Sequence, residues 1–148
     1  RVLFRSRAWF EAFFRGHFRN SHVVRLPALY AEDLRKNLVF DLMYARSQYL
    51  VNVNPRSTFQ FFDVSSTWDI VERVTASGVD TLNVTSQPIS AQEVADIFSV
   101  TLSGTSTASD YDMRSLHADR FGGQNGYLFS REEILRGISN LADRTKPS

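Results

Sequence analysis

Cysteine is absent from the 148 residues, so neither a disulfide framework nor thiolate chemistry is available to the chain. Charge of one sign is scarce too: 17 Lys and Arg stand against 16 Asp and Glu, a formal net charge of +1. That balance lacks the electrostatic footprint of a nucleic-acid binder, and the basic residues gather only between Arg1 and Arg25. Apolar runs of membrane-spanning length are missing, and Arg and Glu interrupt the aromatic start, which excludes a signal-peptide layout. The histidines His17, His22 and His117 share no metal-ligand spacing. These absences predict a soluble cytoplasmic protein with no nucleic-acid partner, no membrane partner and no metal.

Apolar and aromatic residues are plentiful. Hydrophobic residues make up 43% of the chain and Phe occurs 12 times, which predicts a buried core and excludes the disordered class. The pattern Trp9-Phe10-Glu11-Ala12-Phe13-Phe14 is already helical near the start, with Ser6 the only candidate cap before it. Arg1-Val2-Leu3-Phe4-Arg5-Ser6 also reads like the translation of a common sequencing-library adapter. The expectation is therefore a non-native scar over 1–6, a domain over 7–142 and a frayed polar tail over 143–148.

Periodicity predicts a helix over 8–18, a short buried strand over 22–26 halted by Pro27, and a second helix over 37–47. The run Thr58-Phe59-Gln60-Phe61-Phe62-Asp63-Val64 reads as one strand, and Ser66-Thr67-Trp68-Asp69 as the cap of a helix that Gly78 closes. Thr81-Leu82-Asn83-Val84 is another strand. Ser90-Ala91-Gln92-Glu93 and Ser130-Arg131-Glu132-Glu133 are capping boxes, the second opening a helix through Ile134, Leu135, Ile138 and Leu141. Alternation of helix and strand is the α/β order, with parallel strands joined by crossover helices.

Few residues offer chemistry. Tyr44-Ala45-Arg46-Ser47-Gln48 has the spacing of a Tyr-x-x-x-Lys dyad, but Gln48 carries no charge to lower a tyrosine pKa. Gly122-Gly123-Gln124-Asn125-Gly126 precedes Tyr-Leu-Phe and does not open a helix after a strand, so it reads as a turn. Asp110 and Asp112 alternate on a strand-like segment beside Arg114. Leu26-Pro27-Ala28-Leu29-Tyr30 leaves a strand at its carboxyl end, where open α/β sheets bind ligands, and small Ala28 permits close approach to the backbone.

The order of segments resembles the C-terminal half of the extended short-chain dehydrogenase/reductase family, the NAD(P)-dependent sugar-nucleotide epimerases and dehydratases. The likeness runs from Trp9-Phe10-Glu11 through Val23-Val24-Arg25-Leu26-Pro27-Ala28-Leu29-Tyr30 and Phe59 to Val64, and on to Leu82-Asn83-Val84 and Pro88-Ile89-Ser90. It implies the C-terminal part of a Rossmann-like, doubly wound parallel sheet plus a small substrate-binding subdomain, truncated at the N-terminus. The family's Gly-rich loop and Tyr-x-x-x-Lys dyad would precede Ala8, so the chain alone is expected to be inactive. By the same likeness Pro27, Ala28 and Leu29 lie beside the nicotinamide of NAD or NADP. Asn37, Gln60 and Arg114 face the substrate, a small molecule of the sugar-nucleotide kind, and the helix from Trp9 to Phe18 forms a homodimer. Two departures stand out: Tyr30-Ala31 where many relatives have Tyr-Gly, and Phe59-Gln60 where several have an arginine. The rival expectation is a complete small α/β interaction domain, non-enzymatic, whose aromatic first helix is its partner-binding face.

Overall fold

The computed structural model describes residues 2–145, with side chains from residue 6 onward. It is a mixed α/β structure. Helix α1 (Val2–His17) leads into β1 (Val23–Arg25), which pairs in parallel with β5 (Thr81–Asn83), Val24 opposite Leu82. After the step at Leu26-Pro27, β2 (Ala28–Tyr30) pairs in parallel with β4 (Phe61–Asp63), Tyr30 opposite Asp63. A third pair, antiparallel, joins β3 (Thr58–Phe59) to β6 (Ile89–Ser90). The remaining helices are α2 (Leu38–Met43), α3 (Ser47–Leu50), α4 (Thr67–Ser77), α5 (Ala91–Ile97) and α6 (Arg131–Thr145). No helix among the described residues is long and apolar enough to cross a membrane.

Strand β4 divides the interior. Successive side chains of a strand point to opposite faces, so Phe61 and Phe62, both buried, enter different cores. Phe61 packs with Tyr30, Val39, Leu42, Val94 and Ile138. Phe62 packs with Ile70, Val74, Leu82, Phe121 and Leu128, and its ring lies 5.8 Å from that of Phe129, which touches both clusters. A strand buried on both faces is the usual state of a parallel strand and explains why this run reads as continuously apolar.

Several elements depart from the sequence expectations for local physical reasons. The strand over 58–64 is broken at Gln60, because β3 pairs antiparallel with β6 while β4 pairs parallel with β2. Among the described residues, three two-stranded pairs stand in place of one continuous sheet. The cap before α4 is not Ser66, which makes no side-chain cap bond. Asp63 accepts from Ser65 N–H at 2.9 Å and starts a single 3₁₀ turn that runs into the helix. The helix over 37–47 ends at Met43, since Ala45 takes a positive φ of 47°. Residues 110–114 form no strand. Val23 and Val24 are half-buried rather than buried.

Both termini extend further than expected. α1 runs back to Val2, through most of the segment read as a scar. α6 includes Asp143, Arg144 and Thr145, whose hydroxyl donates to the Leu141 carbonyl at 3.0 Å. Residues 1 and 146–148 lie outside the described residues.

α1 turns its charged side toward the protein. Arg25 grips Glu11 with Nε at 3.0 Å and Nη2 at 2.6 Å, and Arg15 bonds the Thr81 hydroxyl. The hydrogen bond from Arg25 holds the Glu11 carboxyl below its ordinary range, against desolvation. Trp9, Phe10, Phe13, Phe14 and Phe18 are all exposed, Trp9 by 61%. They stack at i, i+4 spacing in two ladders, Trp9-Phe13-His17 and Phe10-Phe14-Phe18.

Candidate functional site

The residues implied as a site converge on the break at Gln60. Its main-chain carbonyl accepts from Ala28 N–H at 3.1 Å, which ties the start of β2 to the gap between β3 and β4. The side chain is 3% exposed and fully engaged. Nε2 donates to the carbonyls of Ser86 at 2.6 Å and Met113 at 2.7 Å, while Oε1 accepts from Met113 N–H at 2.8 Å. The amide thus pairs with Met113 as a peptide group would, supplying by side chain what a neighbouring strand would otherwise supply.

Asn37 joins the same region. Its Nδ2 donates to the Leu29 carbonyl at 2.5 Å and its Oδ1 caps α2 by accepting from Phe40 N–H at 3.2 Å. Its backbone lies at φ 136°, ψ −177°, a conformation reached essentially only by glycine. Such strain costs about 1–3 kcal/mol and persists only where surroundings over-determine it, often at functional positions. The two side-chain bonds are what hold it.

Arg114 follows Met113 in the chain and is exposed. Its guanidinium lies 5.1 Å from the centre of the Tyr127 ring, and Nη2 meets Asp112 Oδ2 at 3.3 Å. The Tyr127 hydroxyl donates to the other carboxylate oxygen, Oδ1. That hydrogen bond, with help from Arg114, holds the Asp112 carboxyl below its usual range. Burial first, and Asp112 second, push the Tyr127 hydroxyl up. Gly126, at φ 84°, has room for no side chain: a Cβ there would lie 2.8 Å from Arg114 Cβ. Its carbonyl accepts from Ser115 N–H at 2.8 Å and from the buried Thr85 hydroxyl at 2.9 Å.

The structure therefore brings Ala28, Leu29, Asn37 and Gln60 into one hydrogen-bonded group and hangs Arg114 from it through Met113. Pro27 lies half-buried at the step between β1 and β2. Ala28 N–H is spent on Gln60 and Pro27 has no N–H, so neither residue has a main-chain donor to offer a ligand. Gln60, with both its N–H donors committed inside the protein, acts as a clamp on the 112–114 segment.

Two open cavities flank α6. One of about 250 Å³ is lined by Tyr30, Asp63, Ser66, Arg136 and Asn140 among others, and one of about 280 Å³ by Gln87, Gln124, Tyr127 and Ser130 among others. None of Pro27, Ala28, Leu29, Asn37, Gln60 and Arg114 lines either. The hydroxyl of Tyr30 is held far up from its ordinary pKa, by burial first and then by the charge and hydrogen bond of Asp63, so it stays protonated. Among the described residues no group of three or more His, Asp or Glu is placed to hold a metal ion.

Sequence reasoning missed Tyr127, Asp112's attachment to it, and Gly126. A glycine directly before an aromatic residue is the available signal, and by itself it indicates only a turn. No family model and no curated protein matches the sequence. Chemically the cluster offers binding and orientation: an exposed guanidinium, a clamped loop and an apolar strand exit.

Proposed function

We propose that this chain is the substrate side of an NAD(P)-dependent oxidoreductase similar to the extended short-chain dehydrogenases, with the last strands of the dinucleotide sheet. The observation that carries the reading is the state of β1. Val23 and Arg25 spend their main-chain groups on Asp80 and Val84 beside β5. Parallel pairing then turns the N–H and C=O of Val24 to the opposite edge, where no strand pairs among the described residues. Parallel strands are nearly always flanked and covered, so a two-stranded parallel pair with an open edge calls for a further strand. In the proposed enzyme that strand, the Gly-rich loop and the proton-moving tyrosine come from sequence before Ala8.

Under this reading Pro27, Ala28 and Leu29 border the nicotinamide, while Asn37 and Arg114 face the substrate and Gln60 fixes the segment that carries Arg114. NAD or NADP, when bound, supplies the hydride chemistry. The exposed aromatic ladders of α1 form the contact of a homodimer, and the protein works in the cytoplasm. The same ladders favour a second reading, a non-enzymatic interaction domain with α1 as its binding face.

The upstream coding sequence separates the two. With native codons in place of the segment 1–6, the upstream coding sequence is expected to reveal a Gly-rich loop and, just before Ala8, a Tyr-x-x-x-Lys dyad. A start codon and an unrelated helix cap at that place would overturn the oxidoreductase reading, whereas NAD(H) turnover by the isolated 148 residues would overturn only the expectation that this chain is inactive alone.

A further inference from the structure

We infer that Tyr127, Gly126 and Gln60 are positioning residues that hold Arg114 ready for an oxyanion of the ligand, phosphoryl or carboxylate. The inference takes from the functional reading only that Arg114 faces the ligand. An arginine beside a carboxylate ordinarily closes a two-bond fork with it and satisfies itself. Here Tyr127 competes with Arg114 for one of the two carboxylate oxygens. Its hydroxyl takes Asp112 Oδ1, leaving Asp112 a single contact to Arg114 through Oδ2 at 3.3 Å. Nη2 is the fork nitrogen that meets Asp112, and the Arg114 side chain is 60% exposed.

The remaining contacts fix where that fork stands. Gln60 pins Met113 through both main-chain groups, Ser115 is bonded to Gly126, and the missing side chain of Gly126 makes room for the stem of Arg114. The Tyr127 ring lies beneath the guanidinium. A buried amide, a buried threonine hydroxyl and a positive-φ glycine all converge on one solvent-facing arginine. Ligand-binding side chains are pre-organised by this kind of supporting shell.

The test uses the 148-residue chain and no nicotinamide. The Arg114 Nε–Hε resonance, assigned by its loss in Arg114→Lys, is followed while inorganic phosphate and, separately, acetate are added at low salt. Saturable movement with phosphate identifies a phosphoryl ligand, and with acetate a carboxylate. Tyr127→Phe keeps the ring but frees Asp112 to close on Arg114, so it is expected to weaken the responding anion at least about threefold. Its melting temperature should stay within a few degrees of the parent. Linear, unsaturating shifts with both anions, or an affinity unchanged in Tyr127→Phe, would overturn the inference. Failure here leaves the oxidoreductase reading standing, and failure of the extended chain to bind NAD(H) leaves this titration untouched.

Discussion

Replacing Gln60 by Leu is the most informative perturbation of the fold around the candidate site. Leucine fills a similar volume but removes three hydrogen bonds at once, to the Ser86 carbonyl and to both main-chain groups of Met113. Ser86 is wholly buried, so its carbonyl loses a partner that water cannot replace, whereas Met113 is about half exposed and can rehydrate. An orphaned buried carbonyl costs about 1–3 kcal/mol and each rehydrated bond about 0.5–1.5 kcal/mol. The expected loss is therefore about 2–6 kcal/mol, centred on about 4, or roughly 8–16 °C in melting temperature at that centre for a domain of this size. Gln60→Glu sharpens the test. Ionised, its carboxylate faces two carbonyls; protonated, it regains one donor. The folded-state pKa is thus raised above the unfolded value of about 4.3. A raised pKa means that the variant is least impaired below that value and loses stability as pH climbs through the folded pKa. Urea unfolding of the three proteins between pH 4 and pH 8 measures both effects. A loss under about 0.5 kcal/mol in Gln60→Leu, or a pH-independent Gln60→Glu, would refute the clamp.

Other consequences are equally direct. Gly137 faces Tyr30, so Gly137→Ala drives a Cβ against the hydroxyl and to within 3.1 Å of Cζ. It should cost about 1–3 kcal/mol in thermal or urea unfolding, partly restored by adding Tyr30→Phe; equal losses with and without that second change would contradict the contact. Because the Tyr30 pKa is raised on folding, the folded state holds its proton more tightly than the unfolded chain. Stability from that source is full below about pH 10 and falls above it, and Tyr30→Phe should flatten the decline in alkaline denaturation. Phe62→Ala empties the centre of one core and is expected to cost about 3–5 kcal/mol by urea unfolding. Charges placed on the outer ladder of α1 in Phe10→Glu with Phe14→Glu should abolish self-association in sedimentation velocity while leaving the circular dichroism unchanged. A monomeric parent would remove that contact from the account.

The legible parts of this fold are those written in local chemistry. Both capping boxes form: Ser90 and Glu93 bond reciprocally at 3.0 and 3.3 Å, and Ser130 and Glu133 at 2.7 and 3.1 Å. Each needs only four adjacent residues, and so does the closure of α4 by Gly78. The break at Gln60 was not legible, because Thr58 to Val64 has the composition of one strand. Only the competing partners β2 and β6, distant in sequence, divide it. The α2 boundary failed for a similar reason, since apolar spacing continues past the positive-φ turn at Ala45. At the site, Asn37 and Gln60 stand out in the sequence only through the resemblance. Nothing in a linear sequence told that the Gln60 amide would be consumed by Met113 and Ser86. Tyr127 and Asp112, fifteen positions apart, carry no shared motif, and their pairing depends on the turn at Gly126.

The central claim, that this chain supplies one side of a dinucleotide enzyme, is tested most directly by NADH and NADPH binding. The protein to titrate is the chain extended upstream through its own coding sequence, with the 148 residues alone beside it. Energy transfer from tryptophan to the reduced nicotinamide reports binding. The account predicts saturable binding of one dinucleotide by the extended protein and none by the shorter chain. An extended protein that binds neither, or a shorter chain that binds as well as the extended one, would contradict it.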